Sequence, residues 1–279
     1  MGSVDVKEMP QEDLRKMQLV QLDLLVETDR ICRKYNIKYS LCGGTLLGAV
    51  RHKGFSPWDD DVDIRMLRSQ YERFAKACKK ELDSSKYFLQ DFDSDPGYRW
   101  GYAKLTNVNT IYRRTGQDNL KMRKHMFIDI FISDGVPDSI IGKKIHEKIC
   151  FCIQKILWAP VGMKVSKSLL LRLWYRFLSL IPRNIMVASI NLLAKLFPAE
   201  KAKYIRTLTY PGEKLLKWME NLVEMEFEGH MFLATAYADS WLSYAYGDYM
   251  KLPPENERFG HNTAAFYKFE DAAEITSYY

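Results

Sequence analysis

The chain has 279 residues, 47% hydrophobic, 13% aromatic and 27% charged, with a formal net charge of +6. That composition suits a packed core in one large domain or two modest ones and excludes a disordered or low-complexity chain. The mild basic excess fits an anionic substrate or surface, but not a nucleic-acid-binding protein on charge alone.

The five cysteines, Cys32, Cys42, Cys78, Cys150 and Cys152, are odd in number. Three of them sit in apolar or helical patterns, which predicts reduced thiols in a cytoplasmic protein. Cys150-Phe151-Cys152 is too closely spaced for a zinc knuckle and has no second pair. Met1 to Pro10 is polar and does not read as a signal peptide. No uncharged apolar run reaches the roughly 18 residues expected of a membrane span.

Residues 11–36 predict a scaffold helix, with Leu14, Met17, Leu24, Leu25, Ile31 and Cys32 near one face. Ile37 to Cys42 predicts the first strand, broken by Gly43-Gly44. Thr45 to Val50 predicts a helical turn whose amide N–H groups point at an anion. Arg51, His52 and Lys53 then read as a basic loop closed by Gly54 and Pro57. An arginine there offers a planar fork for phosphate oxygens.

Asp59, Asp60, Asp61 and Asp63 place four carboxylates in five residues. The stretch lacks the glycine and the later bidentate glutamate of an EF-hand loop. Alternation with Val62 and Ile64 predicts a strand carrying Asp61 and Asp63 on one face, with Asp59 and Asp60 as loop or supporting groups. Two such carboxylates beside a glycine turn are what a magnesium or manganese ion bridging to a phosphate requires.

Arg68 to Leu82 predicts a second amphipathic helix. Residues 86–92 and 99–113 predict strands joined by a turn at Asp93 to Gly97, and Lys104 alternates with Tyr102 so that it can face the site. Met126 to Ile132 is an apolar strand with one charge, Asp129, at its centre. A carboxylate buried there needs a cation: either a buried Arg or Lys, or the ion already implied by Asp61 and Asp63.

Residues 140–217 carry fifteen Lys/Arg against three acidic residues, with apolar stretches at 168–181 and 184–197. They predict helices broken at Pro160, Pro182 and Pro198. Basic amphipathic helices suit the anionic inner face of a membrane, and ordinary packing with a solvated basic side is the alternative. Tyr244 to Pro254 reads as an aromatic, turn-rich loop.

The run Gly43 to Phe55 with Pro57-Trp58-Asp59-Asp60-Asp61-Val62-Asp63-Ile64 resembles the signature of the LicD family. Phe127 to Phe131 looks like its second motif. Tyr246 to Met250 with Pro253-Pro254, Arg258 and His261 is similar to its C-terminal motif. Three departures, at Ser56, at Ile132-Ser133-Asp134-Gly135 and at Ala234-Thr235-Ala236, spare the carboxylates.

The resemblance implies an α/β (α+β) nucleotidyltransferase-like mixed sheet flanked by helices. It divides the chain into a catalytic core over 1–139, a basic helical region over 140–217 and a C-terminal segment over 218–279 that returns to the site. It puts Gly44 and Thr45 on the phosphate-facing turn and Asp61, Asp63 and Asp129 around a magnesium or manganese ion. Arg51, Lys104, Arg258 and His261 become candidate phosphate or base contacts. The implied reaction moves a phosphocholine-like group from a CDP-linked donor to a glycan hydroxyl of teichoic acid, lipopolysaccharide or a lipid-linked precursor. The alternative is an enzyme that moves NMP from an NTP to a small acceptor. Trp58, Trp100, Tyr102 and Tyr246 are candidate walls of a choline site.

Overall fold

The computed structural model describes residues 9–260 and 264–269. Helix α1 (Gln11–Lys34) has acidic Glu12 and Asp13 in its first turn and Arg33 and Lys34 in its last, matching the macrodipole at both ends. Strand β1 is only Ser40–Leu41, shorter than the sequence predicts, because the chain turns at once into helix α2 (Gly43–His52). That helix absorbs Arg51 and His52, so the expected basic loop is the last helical turn, closed by Lys53 in the left-handed conformation. Strand β2 (Asp63–Leu67) starts at Asp63, leaving Asp61 just before it. Helix α3 (Arg68–Glu81) follows directly.

Strands β3 (Tyr87–Gln90), β4 (Ala103–Asn107), β5 (Ile111–Arg114) and β6 (Met126–Gly135) come next. The expected single strand over 99–113 is therefore two, split where Thr110 bonds back to Asn107. Helices α4 (Ile140–Val165), α5 (Leu169–Leu178) and α6 (Arg183–Leu196) form the basic region. Short strands β7 (Tyr204–Arg206) and β8 (Lys214–Leu215) and the turn α7 (Lys217–Glu220) lead to strands β9 (Leu222–Phe227) and β10 (His230–Thr235). Helix α8 (Ala238–Tyr246) takes up residues expected in a loop, and β11 (Ala264–Lys268) ends the described chain.

Pro182 and Pro198 stand at helix starts, as expected, but Pro160 lies inside α4 without ending it. Proline has no N–H for the carbonyl four residues back. That carbonyl, Ile156, and its neighbour Leu157 accept instead from the Arg99 guanidinium, at 3.4 and 2.8 Å.

The main sheet runs β3-β4-β6-β2-β1-β10-β9, with β7 and β8 added at the far end of β6. It is mixed: β2 pairs parallel to β6 and β1 parallel to β10, and the other pairings are antiparallel. A second sheet joins β5 and β11. Ile64, Leu105, Ile128 and Ile130 share the large core with Leu24, Leu25 and Ile31 of α1. Side chains alternate across a strand, so their neighbours Asp63, Lys104 and Asp129 point to the opposite side, where the site forms.

Candidate active site

Strand register sets the first part of the site. Asp63 lies opposite Asp129 across the parallel pair, and Asp129 lies opposite Lys104 across the antiparallel one. Three charges from three strands thus form one lateral row. Asp61 precedes Asp63 by two residues in extended chain. Asp59, Asp61, Asp63 and Asp129 all line one cavity of about 370 Å³.

The start of α2 forms the adjoining wall. No side chain caps its first turn, and no acidic residue occupies it. Its free N–H groups favour an anion nearby. Gly43 has φ +57°, and a Cβ there would stand 2.8 Å from Asp63 Oδ2; one on Gly44 would stand 2.8 Å from Asp59 Oδ2. Only glycine lets the backbone come this close to two carboxylates. Thr45 sits one layer deeper. Its buried hydroxyl accepts from the Asp63 backbone N–H at 2.8 Å, fixing the strand end and not facing the cavity.

Electrostatically the carboxylates are under pressure. Burial pushes the Asp63 carboxyl well above its usual range, and Asp61, Asp129 and Asp59 push it further. Asp59 is raised for the same reasons, burial first and then Asp61 and Asp60. Asp59, Asp60 and Asp61 each bring an oxygen within 4.8 Å of the others. Hard carboxylate oxygens crowded this way fit a magnesium- or manganese-type ion. Among the described residues the trio gathered this closely is Asp59, Asp60 and Asp61; Asp63 and Asp129, expected with Asp61 around the ion, line the same cavity wall beside Asp59 and Asp61.

Lys104 is buried, and its Nζ sits 2.7 Å from Asp129 Oδ1 and 2.9 Å from the centre of the Phe127 ring. Burial lowers its pKa to about 8, with Asp129 opposing the shift. Its place is behind Asp129, neither on an exposed strand nor on the cavity wall. Arg51 and Arg258 also stand outside the cavity lining. Their guanidinium carbons lie 5.9 and 5.6 Å from the Trp58 ring centre, beside Asp59. His261 lies outside the described residues.

The rest of the lining comes from residues with little signal in the sequence. Arg65, Arg114 and Lys214 supply positive charge, and Phe131, Tyr210 and Trp241 supply aromatic surface. Of the four aromatic residues expected around a choline, Tyr102 and Tyr246 line the cavity. Trp58 stacks with Arg51 and Arg258, and Trp100 packs with the Tyr98 cluster. Arg65 is legible in principle, two residues beyond Asp63 on the same face. Lys214 and Trp241 are not, since they arrive through pairing of distant segments.

The family profile described as LicD/FKTN/FKRP, nucleotidyltransferase domain, matches residues 36–155. The chain is 34% identical over 268 residues to the lipopolysaccharide cholinephosphotransferase LicD of Haemophilus influenzae, covering 91% of this chain and 97% of that protein. Shorter matches join it to uncharacterized proteins of Rickettsia prowazekii and Rickettsia typhi. The first is 37% identical over 23% of this chain and 32% of that protein. The second is 44% identical over 21% of this chain and 19% of that protein.

Proposed function

The chain belongs to the LicD family, and from that premise we propose that it is a cholinephosphotransferase acting in lipopolysaccharide synthesis. The donor in this reading is a CDP-linked alcohol, CDP-choline first among them. The acceptor is a hydroxyl of a cell-surface glycan or its lipid-linked precursor. The observation that carries it is the lateral row of Asp63 and Asp129 with Asp61, gathered on a cavity beside the open N-terminus of α2.

In the reaction the acceptor oxygen attacks the phosphorus that bears the choline, the bond to CMP breaks, and CMP departs with the electron pair. A divalent ion held by Asp61, Asp63 and Asp129 would neutralise charge on the donor's pyrophosphate. The amides of Gly43 and Gly44 favour the same phosphate oxygens without reorganising. Lys104 holds Asp129 by one oxygen, which fixes that carboxylate's rotamer and leaves its other oxygen for the site. The acceptor proton goes to Asp63 or Asp129. Asp63 is the better base, because no side chain among the described residues is bonded to its carboxylate.

The family's glycan acceptors place the work next to lipid, and the helical region supports peripheral attachment there. No single helix among the described residues is long and apolar enough to cross a membrane. Helix α5 instead leaves Leu170 77% and Trp174 54% exposed beside the cations Arg172 and Arg176. A helix of this kind lies in the headgroup layer of an anionic leaflet.

The test is to incubate the pure protein with magnesium, a lipopolysaccharide acceptor and a panel of CDP-alcohols. The expected result is CMP and a phosphoalkylated glycan, both abolished by EDTA and restored by magnesium or manganese. Pyrophosphate and a nucleotidylated product from an NTP would establish the other chemistry of this fold instead.

A further inference from the structure

The cavity has two poles, and the mechanism uses only the acidic one. On the other part of its wall stand Arg65 and Lys214. Arg65 is 6% exposed. One of its terminal nitrogens donates to Ser133 Oγ at 2.6 Å and to Thr207 Oγ1 at 3.2 Å, which locks its rotamer. Its Nε is buried with no hydrogen-bond partner. Lys214 reaches the same place from β8: its Nζ lies 5.9 Å from the Trp241 ring centre, and the Arg65 guanidinium carbon lies 5.6 Å from it. Neither cation forms an ion pair with a carboxylate among the described residues.

A buried cation, Arg65, and a half-buried one, Lys214, repel one another without an ion-pair partner and are costly to hold in place unless an anion joins them. Ser133 and Thr207 position the arginine but leave its charge unneutralised. The aromatic side chains around it, Phe131 and Trp241, offer only their ring faces. A bound quaternary ammonium is disfavoured here, since those faces are already taken by protein cations.

We propose that Arg65 and Lys214 form an anion subsite, at the other pole of the cavity from the carboxylates, that receives a phosphate group carried by a substrate. The subsite deepens the proposed transfer reaction and relies on it for the identity of the substrates, though not for its own chemistry. Two sources supply such a group: the second phosphate of the donor, or a phosphate on the acceptor glycan.

Lys214→Met is the leading variant, because Arg65 is packed and its removal risks the fold; Lys214→Arg is the conservative control. In the transfer assay Lys214→Met raises one KM at least tenfold while kcat at saturation falls less than threefold, and Lys214→Arg restores most of the loss. A rise in the donor KM that persists when water replaces the acceptor assigns the subsite to the donor. A rise confined to the acceptor KM, absent with acceptor stripped of phosphate, assigns it to the acceptor. If neither KM moves twofold, the proposal is overturned. Should no CDP-alcohol be turned over, the transfer reaction fails and the subsite is tested by inorganic pyrophosphate in EDTA. Pyrophosphate then raises the thermal midpoint of the wild type and not of Lys214→Met, and an unshifted wild type overturns the subsite.

Discussion

At the residue scale the site is a problem in charge. Asp61, Asp63 and Asp129 crowd one cavity wall, where Lys104 pairs with Asp129 and the proposed metal ion would offset the remaining charge. Asp61→Asn removes one ligand without changing side-chain volume. CMP release is expected to fall by about a thousandfold or more, with the thermal midpoint within a few degrees of wild type; near-normal turnover in magnesium would refute the ligand role. Lys104→Met acts differently, since it strands Asp129 in a buried strand. Loss of one partner of a buried pair costs about 3–5 kcal/mol, so urea unfolding should show a large drop in midpoint before any kinetic effect is considered. Gly43→Ala combines a left-handed backbone with a contact 2.8 Å from Asp63 Oδ2. It should cost about 1–2 kcal/mol of stability and reduce turnover by displacing Asp63.

At the element scale, helices α4 and α5 show how local rules are overridden or left open. Helix α4 runs through Pro160 because Arg99, a long way off in sequence, serves the carbonyls around the break. Arg99→Ala should leave the Ile156 carbonyl without a donor and cost about 1–3 kcal/mol, with faster amide exchange confined to the middle of α4 as its signature. Helix α5 buries Leu178 and seats Tyr175 on α4, edge-on to Trp158 at 5.3 Å, and leaves the Leu170, Leu173, Trp174 and Phe177 stripe bare. Leu170→Glu with Trp174→Glu should abolish co-sedimentation with phosphatidylglycerol vesicles while sparing turnover of soluble acceptor. In the wild type, vesicle binding should blue-shift tryptophan emission; a variant that still sediments would place the contact elsewhere.

At the scale of the whole molecule, a buried titratable group lies within the packing of the helical region. His146 of α4 packs edge-on against Phe197 at 5.5 Å and beside Cys150, bridging α4 and the end of α6. Burial, aided by Arg206, lowers its pKa from 6.5 to about 4. The unfolded chain therefore takes up this proton first as pH falls. The stability that neutral His146 contributes is complete above about pH 6.5 and is lost between there and pH 4. Thermal midpoints across that window should decline more steeply for wild type than for His146→Gln. Equal slopes would show that other groups set the acid limb.

Much of the site is legible along the chain, because its acidic part is built from short-range features. Gly43-Gly44, the Asp59–Asp63 run and Asp129 within an apolar strand each declare themselves locally: a left-handed turn, a two-residue alternation, a charge where none belongs. The same alternation anticipates that Asp63 and Asp129 share a face with Lys104, though not that Lys104 is spent holding Asp129. Boundaries are less legible, since β1, the turn within 99–113, the end of α2 and α8 depend on what packs against them. Local residue order is thus enough to specify the acidic pole and the basic, apolar character of the helical region. The cationic pole, the reach of α4 through its proline and the bare side of α5 come only from folding in three dimensions. Those features arise from contacts between segments as much as 176 residues apart, as between Arg65 and Trp241, and no periodicity along the chain encodes such a meeting.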